Sequence, residues 1–309
     1  MPLSLTIQAA PRRRSSKTQA WRLLHEEADR LYPQLRTTWA TLFADMQAAL
    51  PEAALREALA TGNALAVEAV LIPVWQQAGV MQAQTLLPAL IQAAVARTAE
   101  ALLPGTKRAL GVTIDIAFNV VVPETLAAID AFIGTQITGI SDVTLQSVRQ
   151  VIRQGFVEGR SVTQLMRDLE GFIGLTPRQT QAIEALRDRL TAQGLSRAAV
   201  QVQVDAAARK ALRLRVESIS RTESITASNL GQQQLWRQSV AQGLLDEQRF
   251  RRFWRVTRDR RLCPICEAIP GMNPDGVGLN TPFQTPVGEV MYPTAHTHCR
   301  CAVDGRVTT

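Results

Sequence analysis

The sequence predicts a mainly α protein, a multi-helix body that ends in a small α+β lobe, on three observations. From residue 17 to about 245, apolar residues recur at three- and four-residue steps over long segments, as one face of a helix requires. Residues suited to helix starts, Ser161, Thr176 followed by Pro177, and Ser196, punctuate that pattern. Past residue 246 the period is lost, and all four cysteines and two of the three histidines gather in one stretch. That stretch reads Cys263-Pro264-Ile265-Cys266 and later His296-Thr297-His298-Cys299-Arg300-Cys301. The lobe it defines is zinc-knuckle-like. The chain divides into a flexible basic arm (1–16), an N-terminal helical region (17–135), a central helical domain with a long helix (136–245) and the C-terminal Cys/His lobe (246–309).

Two thiols at C-x2-C spacing can bind one ion, because a tight turn points both sulfurs inward. The distal cluster completes a tetrahedral set with His296 and Cys299, or with His298 and Cys301. Both pairs share the H-x2-C spacing, so spacing alone leaves them open. Two disulfides are the competing reading, but disulfides need an oxidising compartment and the N-terminus shows no apolar export core. A structural Zn2+ is favoured. No H-E-x-x-H or H-x-E arrangement accompanies the cysteines, which argues against a catalytic metal.

With 46% hydrophobic residues, 309 residues can bury a substantial core. The formal charge is +7, and lysine occurs only at 17, 107 and 210, so nearly all of the 34 basic residues are arginine. Arginine suits phosphate and carboxylate partners through its planar fork, which permits nucleic-acid contact without establishing it. The longest apolar run, 64–75, contains Glu68 and Pro73 and is short for a membrane span. No membrane partner is expected.

In chain order, Trp21, Leu24, Ala28, Leu31 and Leu35 trace the first helix, continued past Pro33 by Leu42 and Met46. His25 is expected at the surface, and Trp39 and Trp75 in the core. Thr61-Gly62-Asn63 breaks the pattern, and Pro73, Gly79 and Pro88 interrupt the apolar stretch to 101. Pro104-Gly105 is expected to end that block. Residues 111–122 alternate and read as a strand or a buried helix. A helix is expected from Pro123 to about Phe132, a loop over 134–141, and further helices after Asp142, Ser161 and Thr176. Ser196 starts the longest helix, with Val200, Val204, Ala207, Ala211, Leu214 and Ile219 on one stripe and Arg209, Lys210, Arg213 and Arg215 opposite. Arg249, Arg251, Arg252, Arg255 and Arg258 lie among Phe250, Phe253 and Trp254. They are nucleic-acid contact candidates by phosphate pairing and stacking, or a strand leading into the metal lobe.

Taken in order, Ile173-Gly174-Leu175-Thr176-Pro177-Arg178-Gln179, Arg221-Thr222-Glu223, Asn229 with Gly231, Trp254, Asp259-Arg260, the C-x2-C, and His296-x-x-Cys299-Arg300-Cys301 resemble the phage Mu F-like minor head proteins of the phage head morphogenesis family. The resemblance is specific over the C-terminal third. It implies a virion component rather than an enzyme, present in the head interior or at the portal vertex and in the host cytoplasm during assembly. It implies association with the portal protein and the major capsid or scaffold protein, and a role in packaging or delivery of double-stranded DNA. By the family's pattern His296 is preferred to His298, giving Cys263, Cys266, His296 and Cys299 as ligands with Cys301 and His298 as alternates. Arg221, Glu223, Trp254 and Asp259 match structural motif positions, and a buried ion pair or network between Arg221 and Glu223 is expected to brace the lobe. Thr294 stands where the family commonly has proline. The alternative is a zinc-dependent DNA-binding or nuclease-like protein.

Overall fold

The computed structural model describes residues 18–110 and 117–308, with the side chains of 109 and 110 left aside. The basic arm and the first half of the alternating stretch lie outside these residues. Residues 117–122 form turns rather than a strand, with Phe118 and Val120 against the core.

The body is built from α1 (Gln19–Ala48), α2 (Glu52–Ala60), α3 (Ala64–Trp75), α4 (Gln82–Leu110), α5 (Pro123–Val157), α6 (Val162–Phe172), α7 (Pro177–Ala192) and α8 (Arg197–Ala241). The caps stand where the sequence puts them. Ser161 and Thr176 each close a capping box, with Gln164 and Gln179, and Ser196 accepts from Ala199 N. The lobe holds β1 (Phe250–Arg255), α9 (Pro264–Met272), β2 (Phe283–Thr285), β3 (Gly288–Val290) and β4 (Ala302–Val307). β1 pairs antiparallel with β4, bringing Trp254 opposite Val303, and β2 pairs with β3 as a hairpin.

Prolines and glycines break fewer helices than expected. A π-helical turn, Gln76–Met81, joins α3 to α4, and the helical run continues past Pro73, Pro88 and Pro104 to Leu110. Tertiary burial of Val67, Leu71, Trp75, Leu87, Ile91 and Val95 sustains it. By length and composition this run could cross a membrane, although those six side chains face the bundle. The loop expected over 134–141 is helix. Its glycines cost about 1 kcal/mol each, which burial of Ile129, Ile133, Ile137, Val148 and Val151 along the same helix outweighs. The expected boundary near residue 135 therefore falls inside α5, and one hydrophobic cluster spans α1 through α8.

Two polar features fix the body's geometry. Arg160 and Arg187 bridge Asp168 on α6 and Glu184 on α7, with Arg160–Asp168 at 2.9 Å and all four side chains nearly buried. Arg215, expected on the solvated face of α8, is 6% exposed. It donates to the carbonyls of Gly174 and Ile140 and to Thr144, and lies 5.6 Å from the Phe43 ring centroid. Burial pulls its pKa down to about 10. Gly231 is where α8 crosses α4 most closely, since a Cβ there would meet the Val95 carbonyl at 2.7 Å.

Glu223 is buried on α8, and Oε2 accepts from Trp39 Nε1 of α1 at 2.6 Å while Oε1 has no partner. Burial raises this carboxyl to about 8, against the lowering effect of the indole N–H. An ordinary glutamate releases its proton near 4.5. Between those values the unfolded chain has lost the proton and the folded chain has kept it, so stability falls as pH rises from about 4.5 to about 8 and is level beyond. Glu223→Gln retains an oxygen for Trp39 without titrating. Its stability advantage in urea unfolding is expected to grow across that window to a few kcal/mol; an advantage independent of pH would contradict this account.

Candidate metal centre

The proximal half of the centre is the start of α9. Cys263 is its N-cap, its Sγ accepting from Cys266 N at 3.4 Å, and Pro264 occupies the first helical position. The C-x2-C turn is thus a first helical turn, whose free N–H groups favour thiolate. The distal half is the turn before β4, closed by Cys299 N donating to the His296 carbonyl at 3.1 Å.

Folding brings together two overlapping donor groups, Cys263–Cys266–His296 and Cys266–Cys299–Cys301, with the donor atoms in each lying within 4.8 Å of one another. The five residues form a candidate metal-binding cluster. His296 Nε2 lies 3.1 Å from Cys263 Sγ and 2.9 Å from Cys266 Sγ, and Cys266 Sγ lies 3.7 Å from Cys299 Sγ. His296 Nδ1 sits 2.7 Å from the Thr297 carbonyl. That contact places the proton on Nδ1 and leaves the Nε2 lone pair facing the thiols, the arrangement of a ligating imidazole. All four cysteines are free, and 3.7 Å is far beyond a disulfide bond.

His298 lines the same cleft but is not among the gathered donors. It is exposed, its backbone is left-handed (φ 62°), and its N–H donates to Thr222 Oγ1. Its imidazole pKa is lowered first by burial and then by Arg221 and His296. Within the cluster, Cys266 and Cys301 hold the Cys299 thiol down to about 3, with backbone N–H groups of Cys301 and Ala295 assisting against burial. Cys301 is drawn down by Cys266, but Cys299 and burial push it up to about 12. Cys266 is raised, first by Cys299. A bound cation would override this sharing by stabilising every coordinating thiolate. The buried indole N–H of Trp254 has no oxygen or nitrogen partner and lies beside Cys301, where it favours a thiolate.

The two halves are locked by contacts outside the cysteines. Arg300 grips Asp259 with both terminal nitrogens, Nη2 to Oδ1 at 2.7 Å. Arg300, and then the Arg261 N–H, hold that carboxyl well below the usual range. The Arg300 carbonyl accepts from Thr257 Oγ1 at 2.7 Å and from Trp21 Nε1 at 3.4 Å, and His25 Nε2 lies 3.2 Å from it. His25, expected at the surface, is therefore lodged between the lobe and Trp21, whose ring it stacks against at 3.9 Å. Sequence reasoning missed this clamp, because 279 positions separate Trp21 from Arg300.

The expected Arg221–Glu223 brace is corrected. Arg221 lies over the Tyr32 ring, while Glu223 faces Trp39. Thr222 and Thr226 of α8 make the contacts to the lobe, at His298 N and Thr294 Oγ1. Trp254 packs edge-on to Phe283 with ring centroids 5.2 Å apart.

Arg252 is the main correction among the nucleic-acid candidates. It is fully buried, and its guanidinium donates to the carbonyls of Gly278, Met291 and Thr281 and to Gln233 Oε1 of α8. Burial, then nearby Arg237, pull its pKa down to about 10. No phosphate can reach it. Its place follows from the strand: Phe250, Arg252 and Trp254 alternate inward along β1. Arg255 pairs with Asp304. Arg249 is exposed and donates to the Thr308 carbonyl, Arg251 is half-buried and donates to Gln248 and Phe250 carbonyls, and Arg258 is exposed.

No known family model, curated protein or solved structure matches this chain.

Removing the buried guanidinium strands several acceptors at once. Arg252→Met is expected to lower stability by about 3 kcal/mol or more in urea unfolding. Arg252→Lys should recover little, because an ammonium cannot present five donors in a plane. A loss below about 1 kcal/mol for Arg252→Met would refute this role.

Proposed function

We propose that this chain is a bacteriophage minor head protein, with a zinc-stapled C-terminal lobe and a helical body that docks on the portal during head assembly. The ordered motif set that ends in His296-x-x-Cys299-Arg300-Cys301 carries the reading. The gathering of those residues with Cys263 and Cys266 supports its metal half. Zinc fits the donor set, four thiols and an imidazole with no carboxylate. A Zn–S bond of about 2.3 Å puts neighbouring sulfurs about 3.8 Å apart in a tetrahedron, beside the 3.7 Å found between Cys266 and Cys299. Cys263, Cys266, His296 and Cys299 would hold it. Cys301 stands behind as a fifth donor beside Trp254.

The role of the ion is structural in this reading. The cleft over the cluster holds about 20 Å³, room for about one water rather than a substrate. That favours a staple over the nuclease-like alternative. The portal and the capsid or scaffold protein are the proposed partners, in the virion and in the host cytoplasm before it. Contact with packaged DNA would fall to Arg249, Arg251 and Arg258 rather than Arg252.

The phage reading is tested by co-expression with the portal protein of the same genome and by proteomics of purified virions. Copurification and presence in particles are expected; absence from both would overturn it. Elemental analysis of the purified protein is expected to give about one zinc per chain. Cys299→Ser should abolish binding, whereas His298→Ala and Cys301→Ser should keep it. Acidification from about pH 7 to pH 5 should release the ion as protons compete for the ligands. Retention of zinc by Cys299→Ser would reject the ligand set.

A further inference from the structure

One long stretch of the body is nearly without charge. From residue 58 to residue 96 the chain has a single charged residue, Glu68, which is buried and tied to Arg149. In a chain that is 20% charged, a stretch of this length would ordinarily carry several. Over residues 64–96, what the α3–π turn–α4 run shows to solvent is apolar, amide or hydroxyl. Leu65 is 73% exposed, Met81 61% and Leu86 45%, and Gln76, Gln77 and Gln84 lie between them. Beside this run, α1 and α4 enclose an open groove of about 490 Å³ walled by Pro33, Thr37 and Thr41 and floored by Leu86 and Leu90, and every residue lining it is uncharged.

Depletion of charge at an exposed apolar face is the compositional mark of an interface core. The π turn adds a second mark, since such turns gather at functional positions in helices. We propose that this face joins two copies of the chain. Three observations favour a second copy. Each copy carries +7, so arginine-bearing faces repel one another, and this face escapes that penalty. The same surface supplies both protruding apolar side chains, Leu65 and Met81, and a groove, as a two-fold interface must. A helical face about 50 Å long, widened by the adjoining strip of α1, offers on the order of 800 Å² per copy, the size of a stable interface. The exposed glutamines suit hydrogen bonding to a protein surface.

The inference is independent of the minor-head reading. Size-exclusion chromatography with light scattering on the metal-loaded full chain, at rising micromolar concentrations, is expected to give twice the 33.9 kDa chain mass. Met81→Glu combined with Leu86→Glu changes two exposed side chains. It should weaken association at least ~tenfold while leaving the far-UV circular dichroism spectrum unchanged. A wild-type chain that stays monomeric throughout, or a double variant that associates as well as wild type, would overturn the proposal. So would flotation of monomeric wild type with neutral phosphatidylcholine vesicles, which would make the face a lipid contact.

Discussion

The C-terminal lobe takes its reference from a buried guanidinium without a carboxylate partner. Arg252 reaches from β1 to the carbonyls of Gly278, Thr281 and Met291, on the loops around the β2–β3 hairpin, and to Gln233 on α8. Desolvating an arginine costs several kcal/mol, and the cost is offset only when its donors are satisfied together. That requirement sets the path of residues 276–291 relative to both β1 and the long helix. Gln233 in turn donates to the Leu279 carbonyl, so one helical side chain holds the loop from both sides. Arg215 repeats the device in the body, tying α8 to the carbonyls of Gly174 and Ile140 and to the Thr144 hydroxyl.

These contacts matter because the lobe is too small to stand on apolar burial. Its own cluster is short and counts three cysteines among its buried members, and a domain of this size ordinarily needs a metal or covalent staple. Two of the aromatic contacts, Trp236 with Phe250 and Trp254 with Phe283, fix β1 against α8 on one side and the hairpin on the other. The donor cluster then ties α9 to the turn before β4, while Asp259 and Arg300 fasten the same two segments from outside. The guanidinium and the aromatic contacts thus fasten β1 to α8 and to the hairpin, and the donor cluster joins α9 to the turn before β4.

Much of the body was legible in the sequence because helix caps and apolar stripes are local. Ser161, Thr176 and Ser196 start helices for reasons contained within four residues. The breaks were less legible, since Pro73, Pro104, Gly134 and Gly139 weaken a helix by amounts that distant packing can outweigh. At the site, the cysteines and His296 could be grouped from spacing, but spacing leaves the two H-x2-C pairs equivalent. Folding gathers His296 rather than His298 with the thiols, while Cys299 and Cys301 both join the cluster, and the left-handed turn at His298 sends its backbone N–H to Thr222. Arg252 was misjudged by composition, as one arginine among many. The alternation of Phe250, Arg252 and Trp254 held the better signal, because a strand puts all three on one face. Trp21 and His25 left no trace near the cysteines, as their partner lies at the other end of the chain.

That separation affects how the protein can be made. α1 is seated by Arg300 through Trp21 and by α8 through the Trp39–Glu223 bond, 279 and 184 positions away. At roughly 5–20 residues per second, a ribosome needs on the order of 15–55 s after finishing Trp21 to deliver Arg300. Leu31, Leu35, Leu42 and Phe43 have a core to enter once α8 is made, since their cluster closes at Leu230. Leu24 packs with Ala302, so the N-terminal end of the first helix is completed only when nearly all of the chain has emerged.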